Sequence, residues 1–186
     1  MEERKDVGLS VPVGFDYQMV FRQEWREPLP VEERDDVEFV AVTNPLAGLK
    51  LLPAVRGQYS LSMFAKALRR LLAGNRLVTF VLKDDMIVSV TFAWIGASRH
   101  YWVEPGSAIV GGTWSSTDYR RQGIAYYGVV RTINEVIGRG HHIIYADTDR
   151  DNVGGRTIIR NVGWGEPIAL YILGPKPPAD GPTRGS

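Results

Sequence analysis

The chain has 186 residues and no cysteine, which excludes a disulfide framework, a thiolate metal site and a cysteine nucleophile. Lys and Arg total 22 against 21 for Asp and Glu, a net charge of +1 that offers no basic excess for gripping a nucleic acid. The histidines are His100, His141 and His142, without the spacing of a zinc motif, so no metal is expected. The charged start Met1-Glu2-Glu3-Arg4-Lys5-Asp6 lacks the apolar run of a signal peptide, and no stretch of ~18 apolar residues occurs. A cytoplasmic protein with no membrane partner is the expectation. Composition predicts one domain over 13–174, with a flexible segment at 1–12 and a disordered Pro/Gly-rich tail at 175–186.

In chain order, Val37 to Val42 reads as a short strand ended by Asn44-Pro45. Leu61, Phe64, Ala65, Leu68, Leu71 and Leu72 recur at helical spacing, and Gly74-Asn75 stops that helix. Leu77 to Leu82 and Met86 to Trp94 form a hairpin around Asp84-Asp85. Ser107 to Trp114 is a third long strand, and its adjacent Gly111 and Gly112 predict a bulge or a close backbone approach by a ligand. A helix over Gly123 to Arg139 shows Ile124, Val129, Val130, Ile133 and Ile137 on one face. A buried strand from His142 to Ala146, a helix from Asn152 to Val162 and a strand from Ile168 to Leu173 complete the series. A strand run followed by strand-helix-strand-helix-strand predicts an α/β (α+β) domain, with a mixed sheet and helices on its faces.

The chemistry concentrates in Thr113 to Ala125, between a strand and a helix. The first turn of a helix presents backbone N–H groups without intrahelical partners, and its dipole favours an anion. Gly123 permits close approach to the backbone, and Arg120 and Arg121 add positive charge. These features predict a pyrophosphate cradle, without the spacing of a P-loop or a dinucleotide fingerprint.

Arg120-x-x-Gly123-x-Ala125 fits the pattern Arg/Gln-x-x-Gly-x-Gly/Ala, and Asp118 to Ala125 is similar to the wording "E-Y-R-G-K-G-I-G". Downstream, Asn152 to Trp164 is similar to "N-x-x-S-x-x-x-x-x-x-x-G-F", with Gly155 for the small residue and Trp164 for the aromatic. On these residues, over about 86–173, the chain resembles the GNAT superfamily of acyl-CoA-dependent N-acetyltransferases. The resemblance implies a mostly antiparallel central sheet whose two parallel strands, near Ala108 to Ser115 and His142 to Asp147, splay to admit acetyl-CoA or another acyl-CoA. It implies that Arg120, Arg121, Gln122, Gly123, Ile124 and Ala125 hold the pyrophosphate, that Trp114 and Ser115 pair with the pantetheine amides, and that Asn152 touches the same arm. A backbone N–H near Trp114 would polarise the thioester carbonyl.

Two roles stay open. The family's tyrosine that protonates the leaving thiolate falls at Ile159. For the general base, Glu104 is the first candidate and Asp147 the second, while His141 and His142 fall at the far end of their strand. The expected function is direct acyl transfer, in a ternary complex, to a small-molecule amine such as an amino sugar. The alternatives are a peptide or protein acetyltransferase and a non-catalytic acyl-CoA-binding module. A further one is an enzyme served by acyl carrier protein, docked on Arg69, Arg70 and Arg76. Pairing of edge strands leaves a homodimer open.

Overall fold

The computed structural model describes residues 15–96, 98 and 100–175. Of the segments expected to be loose, 1–12 and all of 175–186 except residue 175 lie outside the described residues. The strands are β1 (Phe15–Glu24), β2 (Glu38–Val42), β3 (Arg76–Lys83), β4 (Met86–Ile95), β5 (Ala108–Ser115), β6 (Ile143–Asp149) and β7 (Ala169–Pro175). The helices are α1 (Pro45–Gly48), α2 (Leu61–Leu71), α3 (Ile124–Gly138) and α4 (Val153–Val162), with a 3₁₀ turn at Leu49–Ala54. All seven strands join one sheet in the order β2-β3-β4-β5-β6-β1-β7. Neighbours are antiparallel except β5 and β6, which run parallel.

The helices follow local chemistry. Ser60 caps α2, its Oγ accepting from the Met63 N–H at 3.2 Å, and Asn44 caps α1 through Ala47 at 2.8 Å, with Pro45 in the first helical position. Asp84 and Asp85 both take positive φ, the turn that matches the twist of the β3–β4 hairpin. The core lies on both faces of the sheet. Under α3 and α4, Val110, Val130, Ile133, Ile144, Ala146 and Trp164 pack together. On the other face Phe64, Leu68, Phe80, Val90 and Phe92 pack beneath α2, and Val20, Val103, Ile109 and Tyr145 pack beneath the loop between β4 and β5.

The structure departs from the sequence expectation in three places. β1, absent from the predicted elements, lies between β6 and β7 and carries the buried Val20 and Phe21. The segment after Val42 continues as α1 and the 3₁₀ turn, because Asn44-Pro45 starts a helix instead of a loop. β7 extends through Gly174 to Pro175, which pairs with Phe15, beyond the Leu173 expected as its last residue. Among the described residues no helix is long and apolar enough to cross a membrane.

Candidate acyl-CoA site

The parallel ladder between β5 and β6 covers only Ala108–Ile144 and Ile109–Tyr145. Beyond it β5 runs on to Ser115 and β6 to Asp149 without pairing with each other, so the two strands separate toward their C-terminal ends. β5 also bulges there, because Gly111 pairs with Phe92 and Trp114 with Val90, leaving two residues opposite Thr91. Gly112 sits in this bulge at φ +61°, and a Cβ on it would press on the rings of Phe92 and Trp94 at 3.3 Å. The divergence opens a cleft of about 970 Å³ lined by both strand ends and by the first turns of α3 and α4.

Backbone direction in β5 follows from pairing. The Ser116 N–H donates to Val88 O at 2.9 Å. Alternation along the ladder then turns the Trp114 N–H toward β4 and the Ser115 N–H away from it, toward the cleft, while Thr113 lies within the bulge. The Trp114 ring packs tilted against Tyr59 with centroids 5.1 Å apart. Trp114 and Ser115 are both among the residues that line the cleft.

At the start of α3, Gly123 takes the cap position at φ +75°, and Arg121 is held at φ +63°. Among the described residues, none of the N–H groups from Arg121 to Ala125 has an acceptor. Arg34, from the loop between β1 and β2, donates to Gln122 O at 2.7 Å and braces this turn from behind. It is also paired with Asp36, which keeps its guanidinium in place. Arg120, Arg121, Gly123, Ile124 and Ala125 line the cleft. The Gln122 side chain turns back to Asp118 O at 3.3 Å and stays outside.

At the start of α4, Asn152 caps the helix through Gly155 at 2.9 Å, which leaves its Nδ2 without a partner among the described residues. Asn152, Gly154 and Gly155 line the cleft together with Ile159. Gly155 is required sterically, since a Cβ there would collide with Thr148 Oγ1 and lie 2.8 Å from Asn152 Nδ2.

Neither a family model nor a curated protein sequence matches this chain. Solved structures do. One is an aminoglycoside acetyltransferase from an uncultured soil metagenomic sample, in complex with sisomicin. It shares 15% identity at TM-score 0.53, over 69% of this chain and 88% of that one. Another is AAC(6')-Iy in complex with the bisubstrate analogue CoA-S-monomethyl-acetylneamine, at 14% identity and TM-score 0.51, over 70% and 92%. A GCN5-related N-acetyltransferase from Kribbella flavida aligns with 86% of this chain at 15% identity and TM-score 0.56, and this chain spans 58% of that one. The fold is the GNAT fold.

Within that fold the two carboxylates expected as bases separate. Asp147, at the end of β6, lines the cleft and accepts from Tyr101 Oη at 2.8 Å. Burial raises its pKa and the charge of Asp149 adds to the rise, while the Tyr101 hydrogen bond and His100 oppose it. Burial, and then the adjacent Asp147 carboxylate, push Tyr101 far above the ordinary phenol range, so it remains a donor. Glu104 lies outside the cleft. It accepts from Arg22 Nε at 2.6 Å and from Tyr145 Oη at 3.0 Å. The Arg22 hydrogen bond, then that of Tyr145, holds its carboxyl below the usual range. A carboxylate spent on two donors is a poor base, so Glu104 is corrected from candidate base to an anchor of the β4–β5 loop on β1. Its stabilisation is present above the unfolded pKa and is lost as acid protonates it. Glu104→Gln is therefore expected to lower the melting temperature at neutral pH, to differ less from the native protein under acid, and to leave the pH–rate profile unchanged.

His141 Nδ1 lies 2.8 Å from Gly106 O and His142 Nδ1 3.1 Å from Trp25 O, both at the far end of β6. Arg70, exposed on α2, lies over the Phe92 ring at 4.4 Å. Sequence reasoning missed Arg34, Tyr101, Gln18 and Thr148. Gln18 and Thr148 line the cleft with a buried oxygen that lacks a hydrogen-bond partner among the described residues. Neither lay in a predicted strand, so no signal in the sequence reading pointed to them.

Proposed function

We propose that this protein is an N-acyltransferase that passes an acetyl or related acyl group from acyl-CoA to the amine of a small molecule, by direct attack in a ternary complex. The observation that carries this is the row of unpaired N–H groups from Arg121 to Ala125 beside a split parallel strand pair. Those amides, with Arg120, Arg121 and the bracing Arg34, suit a pyrophosphate. The Ser115 N–H suits a pantetheine amide, and the Thr113 N–H suits the thioester oxygen as charge develops on it. Asn152 Nδ2 reaches the same arm from α4. Acyl-CoA supplies the activated carbonyl, and every other part of the chemistry is positioning and proton transfer by this chain.

Asp147 takes the proton from the incoming amine. Its raised pKa makes it a better base than an exposed aspartate, and Tyr101 fixes the carboxylate in place. The acceptor side supports a cationic, sugar-like amine. Asp147 and Asp149 set negative charge at the cleft, and Tyr101, Trp94 and Tyr171 pack on the same face of the sheet. Replacing Tyr101 with Phe deletes a hydrogen bond that lowers the Asp147 pKa, so that pKa rises. The acid limb of the rate profile is expected to move to higher pH, and a limb that stays in place removes Tyr101 from this role.

The test is release of free thiol from acetyl-CoA across a panel of amino sugars, polyamines and peptides. Turnover with amino sugars is the expected result. Absence of thiol release with every amine, combined with no heat of association for acetyl-CoA, overturns the proposal. Ile159, where an acid would stand, favours one second reading, a binding module. It would give heat without thiol.

A further inference from the structure

Thr148 follows Asp147 on β6, and side chains alternate along a strand. Asp147 meets Tyr101 on one face of the sheet. Thr148 points to the other face, against Gly155 in the first turn of α4. It is 5% exposed, and among the described residues its Oγ1 has no hydrogen-bond partner although it lines the cleft. A buried hydroxyl without a partner is destabilising unless a ligand supplies the acceptor. Close by, the Gly154 N–H has no acceptor among the described residues, and Asn152 Nδ2 is equally unengaged. The positive end of the α4 dipole is directed at the same place. Three donors and a helix N-terminus call for a negatively charged acceptor. The position of Asp147 one residue away, on the opposite face, says which one. If the amine arrives on the Asp147 side of the carbonyl, the group that departs lies on the Thr148 side.

We infer that Thr148, with the first turn of α4, receives the sulfur of acyl-CoA and stabilises the departing thiolate by hydrogen bonding. This rests on the acyltransferase reading above and adds a residue to it. The amine nitrogen forms its bond to the carbonyl carbon, the carbon–sulfur bond breaks, and its electron pair leaves on sulfur. The nitrogen's proton passes to Asp147. A hydroxyl is a far weaker acid than a thiol, so Thr148 keeps its proton and only donates a hydrogen bond. The thiolate takes a proton from water after release. Ile159, buried in the same wall, supplies no proton, and on this account none is needed.

The test compares binding of coenzyme A and of desulfo-coenzyme A by calorimetry, from about pH 7 to about pH 10, across the thiol's ordinary ionisation. In the native protein, affinity for coenzyme A should rise relative to the desulfo form as the thiol ionises. Thr148→Val, close to isosteric, should lose about tenfold of that gain, the effect of one hydrogen bond to a charged group, with desulfo binding unchanged. Thr148→Ser should retain the gain, and Thr148→Ala serves in place of the valine variant if that fails to fold. A full gain in the valine or alanine variant overturns the inference, and so does an equal loss for both ligands, which marks Thr148 as wall packing. No heat from the native protein with either ligand overturns the acyl-CoA reading itself.

Discussion

Asp147→Asn is expected to lower kcat/KM for the amine by roughly 10²–10⁴-fold, the usual contribution of a positioned proton acceptor. Asparagine keeps the shape of the side chain and can still accept from Tyr101, so the β4–β5 loop should stay docked. What it loses is the ability to take a proton. The fall should therefore appear in kcat, with the dissociation constant for acetyl-CoA unchanged, and the acid limb attributed to this group should vanish from the profile. Calorimetry on the variant and steady-state rates across pH separate these quantities. If the variant retains most of its activity, the base is elsewhere, and a water chain ending at Asp149 becomes the next suspect.

Ala125→Glu is expected to move stability and binding in opposite directions. Ala125 lies in the first turn of α3, half-buried, and lines the cleft. A carboxylate there complements the helix dipole and should raise stability by about 0.3–1 kcal/mol. It also puts a negative charge against the pyrophosphate. Like charges placed together cost several kcal/mol, so affinity for acetyl-CoA should fall by at least about 100-fold. A melting curve and a titration on one sample decide it. A better-folded protein that no longer binds would locate the anion site at these amides. Unchanged affinity would place the phosphates elsewhere.

Much of the architecture was legible because local signals agreed. The Asp84-Asp85 turn, the apolar face of α3 and the glycines of β5 each pointed to the element that formed. The cradle was legible for the same reason: a strand, a turn with Arg120, Arg121 and Gly123, and a helix start are neighbours in sequence. What escaped depends on partners far along the chain. Arg22 looks like an ordinary surface charge until Glu104, 82 residues on, closes on it, and that pairing hid β1 as well as the true position of Glu104. Tyr101 acquires meaning only from Asp147, and Thr148 only from the helix turn at Gly155. Pro45 read as the end of a strand, yet it also opens a helix.

The place of β1 has a consequence for how the protein comes into being. The first described strand is the mortar between β6 and β7, which follow it far along the sequence. During synthesis it emerges before them, and Val20 and Phe21 stay uncovered until those strands follow. The meander from β2 to β5 can form on its own schedule, since each of its strands pairs with the next. The half of the sheet that carries Asp147 and Thr148 cannot. Ends that must find each other fold late and are exposed to mispairing in the interval. The cleft is thus finished by β6 and α4, and nascent fragments would carry the turn at Arg121 to Ala125 before they carried Asp147.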